Sequence, residues 1–401
     1  MKPNLYIFTA SFPYSTGETF LANELDVIAP YFEKIVLLPV YNPSGNNTTR
    51  PVPANVKFEE PLLYANIIER SFAGIFNFAP LMPHVRDLKN MFKKGKNLKY
   101  NMKQWYISLL LFRCLYSSKY FNQLKNNLTG NDILYFYWGL GQTSILPYIT
   151  HDRTFIRIHG GEIEFERHHG YIPLIERTIK NAPHIIAISG LVKNKIEQVF
   201  NYKNVFINRL GVVDKGLSPL PDSAAPVRIV SCSNIIPIKR LHLIIDALSF
   251  IKDQPVEWIH FGNGYLLEKI NTLVETKLSP NIKVEFKGRV SNNEILEFYK
   301  KNYVDLFVNV SSTEGIPVSI MEAMSFGIAC FATDAGATAE LVNNSLGQLV
   351  EIDFETGKLT DAIINARSKN KREKQKLIKK QISLDFDAGN NYSRLLKILN
   401  N

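Results

Sequence analysis

Ser311-Ser312-Thr313-Glu314-Gly315-Ile316-Pro317-Val318-Ser319-Ile320-Met321-Glu322-Ala323-Met324 follows without a gap on the apolar run Asp305–Val310. A short apolar run, a loop holding a glycine, and a proline ahead of apolar residues at helical spacing read as strand, loop and helix. Proline suits the first turn of a helix, where its missing N–H is no loss. The free amides of that turn and the helix dipole favour an anion, so a phosphate is expected there, with Gly315 letting the backbone approach it. Glu314 falls in the loop and Glu322 about one and a half turns into the helix, so both carboxylates can address a polar ligand whose phosphates occupy the helix end. A carboxylate accepts charge-assisted hydrogen bonds from hydroxyls worth about 1.5–3 kcal/mol each, which suits sugar and ribose. Taken singly, Glu314 reads equally as a solvated loop acid and Glu322 as a helix-surface acid.

Outward from this stretch, the apolar period switches repeatedly between two and about 3.6, the mark of alternating strands and helices and of mostly parallel sheets. Strands are expected at Leu5–Thr9, Lys34–Val40, Ile133–Tyr137, Phe155–Ile158, Ile185–Ile188 and Val205–Ile207. A second set is expected at Val227–Cys232, Val256–Phe261, Lys283–Phe286, Asp305–Val310 and Ile328–Thr333, with helices starting near Leu241, Tyr265, Glu294 and Pro317. Ser291 followed by Glu294 is a capping box. Between the sets, Gly211–Pro226 carries three prolines, two glycines and no sustained period, as an interdomain linker does. At 401 residues and 45% apolar composition, two cores are expected in place of one. The fold class is α/β, two doubly wound domains with mostly parallel sheets facing a central cleft, where such sheets bind ligands.

Ser311 to Gly327 carries every anchor of S-x-x-E-G-x-P-x-S-x-x-E-A-M-x-x-G. In this it resembles family 4 of the retaining glycosyltransferases, of the bacterial cell-surface polysaccharide type, whose two glutamates are separated by seven residues. The resemblance implies the GT-B fold with two Rossmann-like domains: 1–210 for the acceptor, 211–380 for the nucleotide-sugar donor, and a terminal helical segment, 381–401, packing back toward the first. It assigns the donor sugar to Glu314, sugar and pyrophosphate to the amides of Gly315, Ile316, Pro317 and Val318, and the ribose hydroxyls to Glu322. Ser231–Arg240 is similar to the family's first-strand loop, in which an arginine and, five residues on, a lysine clamp the diphosphate. Lys239 fits that lysine, while Asn234 stands in place of the arginine and leaves Arg240 or Arg289 to supply the second cation. His260–Gly264 is similar to the next ligand loop, with Gly262, and Val284–Val290 to the segment whose backbone receives the base, with Arg289 and Val290. In the first half, Phe12–Phe20 resembles the opening loop, where Gly17 approaches the donor phosphate, and Arg157–Glu162 resembles the histidine turn, where His159 meets a sugar hydroxyl. Catalysis is thereby expected from His159, Lys239 and Glu314.

The function implied is transfer of a hexose or related sugar, with retention, from a UDP-, GDP- or ADP-sugar to a saccharide or lipid-linked acceptor, without cofactor or metal. A nucleotide-sugar epimerase of the same shape and a non-catalytic nucleotide-sugar binder remain open. Gly262-x-Gly264 lacks the third glycine of a dinucleotide fingerprint, and no P-loop is present. Asp385-Phe386-Asp387 is formally a D-x-D pattern but lies beyond both strand sets.

Cys114, Cys232 and Cys330 sit far apart in apolar segments, as buried thiols do in a reducing compartment. The run Leu5–Ala10, stopped by Phe12-Pro13, is too short for a signal core or a span, so a cytoplasmic protein is expected. The formal charge of +10 is uneven: Arg86, Lys89, Lys93, Lys94, Lys96, Lys99, Lys103, Arg113, Lys119 and Lys125 crowd one segment with Asp87 as its only acid. Aromatic and aliphatic residues interleave with them, so residues 86–125 are expected either to touch an anionic membrane on its inner face or to form a helical pair with a solvated basic side. No nucleic-acid motif accompanies the charge, and no nucleic-acid partner is expected.

Overall fold

The computed structural model describes residues 2–14, 17–43, 49–62, 79–344, 346–367 and 370–400. Of the polar stretch 42–53, residues 44–48 lie outside them. Each anticipated strand is present, and all strands in both sheets are parallel. Parallel strands are covered on both faces, which is why their sequences read as continuous apolar runs such as the fully buried Ile133–Phe136.

The first unit comprises Met1–Leu210 and Gly389–Asn401. Its strands are β1 (Asn4–Thr9), β2 (Lys34–Pro39), β3 (Val56–Phe58), β4 (Ile133–Phe136), β5 (Thr154–Ile158), β6 (His184–Ala187) and β7 (Val205–Ile207), ordered β3-β2-β1-β4-β5-β6-β7. Its helices include α1 (Thr19–Ile28), α2 (Met82–Lys94), α3 (Leu98–Tyr116), α4 (Lys119–Asn127), α5 (Ile175–Asn181) and α6 (Gly190–Phe200).

The second unit, Gly211–Ala388, orders β8 (Val227–Cys232), β9 (Val256–Phe261), β10 (Ile282–Phe286), β11 (Leu306–Asn309), β12 (Cys330–Thr333) and β13 (Gln348–Val350) as β10-β9-β8-β11-β12-β13. Its helices are α7 (His242–Ser249), α8 (Leu267–Lys277), α9 (Asn292–Lys301), α10 (Val318–Ser325), α11 (Thr356–Ile364) and α12 (Lys371–Phe386). The Ser291 box caps α9: Ser291 Oγ accepts from Glu294 N, and Glu294 Oε2 accepts from Ser291 N at 2.8 Å. Trp258 is fully buried in this core, and its truncation to alanine would cost about 3–5 kcal/mol.

The last helix, α13 (Ala388–Leu399), belongs to the first unit from Gly389 onward, and position 381, expected to open the returning segment, lies inside α12. Asn391 Nδ2 donates to Leu210 O at 3.0 Å and Asn391 O accepts from Asn208 Nδ2 at 2.7 Å. Asn208 Oδ1 in turn accepts from Arg157 at 2.5 Å, and Arg157 pairs with Glu24 of α1, both side chains being fully buried. Burial alone would lower the Arg157 pKa, but Glu24 overrides it and holds the guanidinium charged.

The basic segment 86–125 forms α2, α3 and α4, and its apolar positions divide. Met91, Leu110 and Phe112 are core residues, and Trp105 donates its indole N–H to His84 O at 2.9 Å, whereas Phe92 and Tyr106 are exposed. No helix among the described residues is long and apolar enough to cross a membrane.

Candidate active site

Strand order reverses between β1 and β4 in one sheet and between β8 and β11 in the other, and the loops at the carboxyl ends of these strands are where doubly wound sheets take ligands. Gly17, Asn234, Lys239, Arg240, Glu314, Gly315, Ile316 and Pro317 fall on those loops, whereas His159, Gly262, Arg289 and Val290 follow β5, β9 and β10, and Val318 and Glu322 lie in α10.

In the second unit, the loop after β8 ends in a 3-10 turn, Pro237–Lys239, and the loop after β11 carries Glu314. Lys239 Nζ donates to Glu314 Oε1 at 2.6 Å, with the two side chains 18% and 12% exposed. Asn309 Nδ2 donates to the same oxygen at 3.2 Å, so the end of β11 orients the carboxylate. The Glu314 loop is strapped on both sides. Ser312 N donates to Ile238 O at 2.8 Å, and Ala337 N to Gly315 O at 2.9 Å. Gly336 has φ +60°, and a Cβ there would stand 1.9 Å from Glu314 O, so only glycine allows this approach.

Helix α10 begins at Val318, which places Pro317 at the N-cap, one residue ahead of the expected first turn, with no side-chain cap. The first amide turned back into the helix is Ile320 N, to Pro317 O at 3.1 Å, which leaves the Val318 and Ser319 amides at the helix start. Glu322, on the second turn, is buried and accepts from Asn292 Nδ2 at 2.6 Å. Burial pushes its pKa up to about 7, against the opposing hydrogen bond from Asn292 and the charge of Lys215.

Two neighbouring basic residues part company at the 3-10 turn. Arg240 has φ 48°, and its side chain turns from Glu314: Nε donates to Val310 O at 2.7 Å and Nη2 to Ile352 O at 2.8 Å. Its guanidinium therefore fastens the ends of β11 and β13, and the structure does not bring it to the Lys239–Glu314 pair. Asn234 is exposed in the loop after β8, and Arg289 is exposed, with no hydrogen bond or ion pair for its guanidinium among the described residues; Val290 beside it is half-buried.

Gly262 has φ +136° and a Cβ there would lie 1.8 Å from Ser233 O. That carbonyl is held by His260, whose Nε2–H donates to it at 3.1 Å while Nδ1 accepts from Ser231 Oγ at 2.8 Å and Ser231 Oγ accepts from Trp258 Nε1 at 2.9 Å. Burial lowers the His260 pKa to about 4, so the ring is neutral and its tautomer is set by these partners.

In the first unit, Gly17 is exposed and Glu18 follows it with φ 53°. The Glu18 carboxylate gathers four donors: Ala10 N at 2.9 Å, Ser11 N at 2.9 Å, Phe12 N at 2.7 Å and Trp138 Nε1 at 2.7 Å. Trp138 lies against His159, whose Nδ1 faces Glu162 Oε1 at 3.4 Å and whose backbone N–H donates to Glu162 Oε2 at 2.9 Å. Burial alone would raise the Glu162 pKa, yet the hydrogen bonds and charge of His159 bring it below the ordinary carboxylate value.

Sequence reasoning did not assign Glu18, Trp138, Glu162, His260, Asn292 or Asn309. Only Glu162 carried a local signal, three residues after His159. All three cysteines are free, and burial raises each thiol, that of Cys232 to about 12. Asp385 and Asp387 flank Phe386, whose carbonyl accepts from Val212 N at 2.8 Å in the linker. Among the described residues no three His, Cys, Asp or Glu side chains gather as metal ligands.

The class these loops define has a counterpart among known proteins: residues 223–382 match the family model described as Glycosyl transferases group 1. The chain is 28% identical over 181 residues to the Escherichia coli (strain K12) protein assigned as colanic acid biosynthesis glycosyltransferase WcaL, covering 43% of this chain and 44% of that one. It is 30% identical over 146 residues to the Escherichia coli O-antigen biosynthesis glycosyltransferase WbnH, covering 35% and 39%. The chain thus spans less than half the length of these relatives. The crystal structure of Anabaena Alr3699/HepE in complex with UDP superposes with a TM-score of 0.65 over 100% of both chains at 15% identity, a likeness that shows the shared fold, GT-B.

Proposed function

We propose that the chain is a glycosyltransferase of the retaining family 4 type, moving a sugar from a nucleoside diphosphate donor to a saccharide or lipid-linked acceptor in polysaccharide synthesis. The observation that carries this is the Lys239–Glu314 pair, held at 2.6 Å where the strand order reverses between β8 and β11, inside the segment that matches the Glycosyl transferases group 1 family. In support, WcaL and WbnH are named for colanic acid and O-antigen biosynthesis, and HepE was solved with UDP.

In this reading the Lys239 ammonium and the amides at the start of α10 meet the negative charge that develops on the departing diphosphate. A fixed charge lowers a barrier most where charge grows. Glu314, oriented by Asn309, accepts from a hydroxyl of the donor sugar, and Glu322 accepts from the ribose. His159, giving Nδ1–H to Glu162, presents Nε2 to a sugar hydroxyl. Retention has the acceptor attack on the face the nucleotide leaves, a phosphate oxygen taking the acceptor proton. The proposal includes no cofactor and no metal, and a cytoplasmic place of work at the inner face of the membrane.

The test is incubation with UDP-, GDP- and ADP-sugars, with and without saccharide acceptors, followed by assay of released nucleotide. Acceptor-dependent release supports transfer. Conversion of the donor sugar without release would make the chain an epimerase, and binding without turnover a receptor. The donor itself is found by thermal shift, since a ligand at a hundred times its dissociation constant stabilises the fold by about 2.7 kcal/mol.

A further inference from the structure

Eight of the twenty-one exposed large apolar side chains among the described residues lie between 81 and 107, on α2 and the first half of α3. Phe92 is 64% exposed, Met82 and Leu98 56% each, and Val85 50%. On α2, Met82, Val85, Lys89 and Phe92 recur at helical spacing on the solvent side, opposite the buried His84, Asp87 and Met91. On α3, Lys99, Met102, Lys103 and Tyr106 do the same, opposite the buried Asn101. Apolar and cationic side chains therefore share one outer surface on each helix.

Arg86, Lys89, Lys93, Lys96, Lys99 and Lys103 are exposed there, and none forms an ion pair among the described residues. Lys94 is set apart, being paired with Glu176. No carboxylate balances the cations. Asp87, the only acid between 79 and 127, is buried and accepts from Leu174 N at 3.0 Å and from the Tyr171 hydroxyl.

We propose that the solvent face of α2 and the first half of α3, residues 81–107, seats this protein on an anionic phospholipid surface. Cations meet the lipid phosphates while Met82, Phe92 and Leu98 enter the boundary between headgroups and acyl chains. A nucleic acid would use the cations and leave those apolar side chains in water. A second copy would bring two sets of unpaired cations face to face. The surface is narrower than the segment 86–125 expected from sequence, because Leu110 and Phe112 are core and α4 buries Phe121 and Leu124.

The experiment is co-flotation of the full chain with vesicles of phosphatidylcholine alone and of phosphatidylcholine mixed with phosphatidylglycerol. Wild type floats with the mixed vesicles alone, and salt reduces the fraction bound. Phe92→Ser with Leu98→Ser, and separately Lys93→Gln with Lys99→Gln, each lower partitioning by about tenfold or more. Melting temperature and nucleotide release in solution stay unchanged in both, since none of the four residues belongs to the Lys239–Glu314 or His159 sites. Failure to float, partitioning that both variants retain, binding to duplex DNA in its place, or a dimer that the Phe92/Leu98 variant dissociates would each overturn the proposal. Vesicle binding is read without turnover, so its failure and that of the glycosyltransferase reading are separate results.

Discussion

The Trp138 indole lies over the His159 imidazole with ring centroids 4.2 Å apart and gives its N–H to Glu18 at 2.7 Å. One carboxylate thereby fixes both the loop after β1 and the aromatic plate against which the histidine rests. Glu18→Gln turns an amide NH2 toward a set of N–H donors, which should lower stability by about 1–3 kcal/mol and reduce turnover beyond what the lost stability explains. Trp138→Phe keeps a ring against His159 and removes the N–H. The folded fraction by circular dichroism, with turnover at saturating donor, checks both, and full activity in Glu18→Gln would dismiss the positioning role.

Lys239 and Arg240 are adjacent in sequence and opposed in space, so their alanine variants should separate. Lys239→Ala should lower turnover tenfold to a hundredfold, equivalent to about 1.4–3 kcal/mol. Arg240→Ala frees the carbonyls of Val310 and Ile352 and should lower stability by about 1–2 kcal/mol with donor binding nearly unchanged. Calorimetric donor titration and thermal melts on the two variants decide this. A donor-binding loss as large in Arg240→Ala would restore it to the phosphate clamp.

Glu322 has a pKa of about 7 in the folded protein against an ordinary 4.5. The native state thus holds a proton that the unfolded chain has released between these pH values, and stability falls as pH rises through that window, by about 3 kcal/mol at most. Glu322→Gln should remove that slope and melt higher than wild type at pH 8, with little gain at pH 4.5. The same substitution should weaken the nucleotide, whereas Glu314→Gln should weaken sugar recognition and turnover. Melting curves at the two pH values and titration with nucleotide alone provide the readout; identical effects on nucleotide from both variants would contradict the division.

His260 and His84 are each pushed by burial to about 4. A depressed histidine contributes stability that is complete above its ordinary 6.5 and lost as pH falls toward 4, about 3 kcal/mol at most for each. His260→Gln should flatten the acid limb of the stability profile by its share. Because His260 holds Ser233 O, the variant should also raise the donor Kd at neutral pH. An acid limb identical to wild type would show that His260 does not titrate there.

Most of the eleven anticipated strands were legible because a strand covered on both faces is apolar along its length; Ile282–Phe286, with Lys283 and Glu285 exposed, alternates instead. The two unanticipated ones, Val56–Phe58 and Gln348–Val350, are three-residue edge strands that each include a polar residue, Lys57 and Gln348, whereas the equally short Val205–Ile207 is apolar throughout. In the site, Glu314, Glu322 and Lys239 stand in local patterns tied to a strand end or a helix start. Glu18 and Trp138 are 120 positions apart, and Asn292 meets Glu322 across thirty, so nothing local marks them. Arg240, offered with Arg289 for the second cation, turns to Val310 O and Ile352 O through a left-handed φ that has no signature in sequence when the residue is arginine.

Residues 389–400 sit in the first unit although the whole second unit precedes them in the chain. During synthesis, the second unit can therefore close its core once Ala388 has left the ribosome, while the first waits with the Asn208 and Leu210 partners of Asn391 unfilled. A chain that has emerged as far as position 388 holds every residue of the second unit and lacks the last helix of the first, so the order of completion runs opposite to the order of translation.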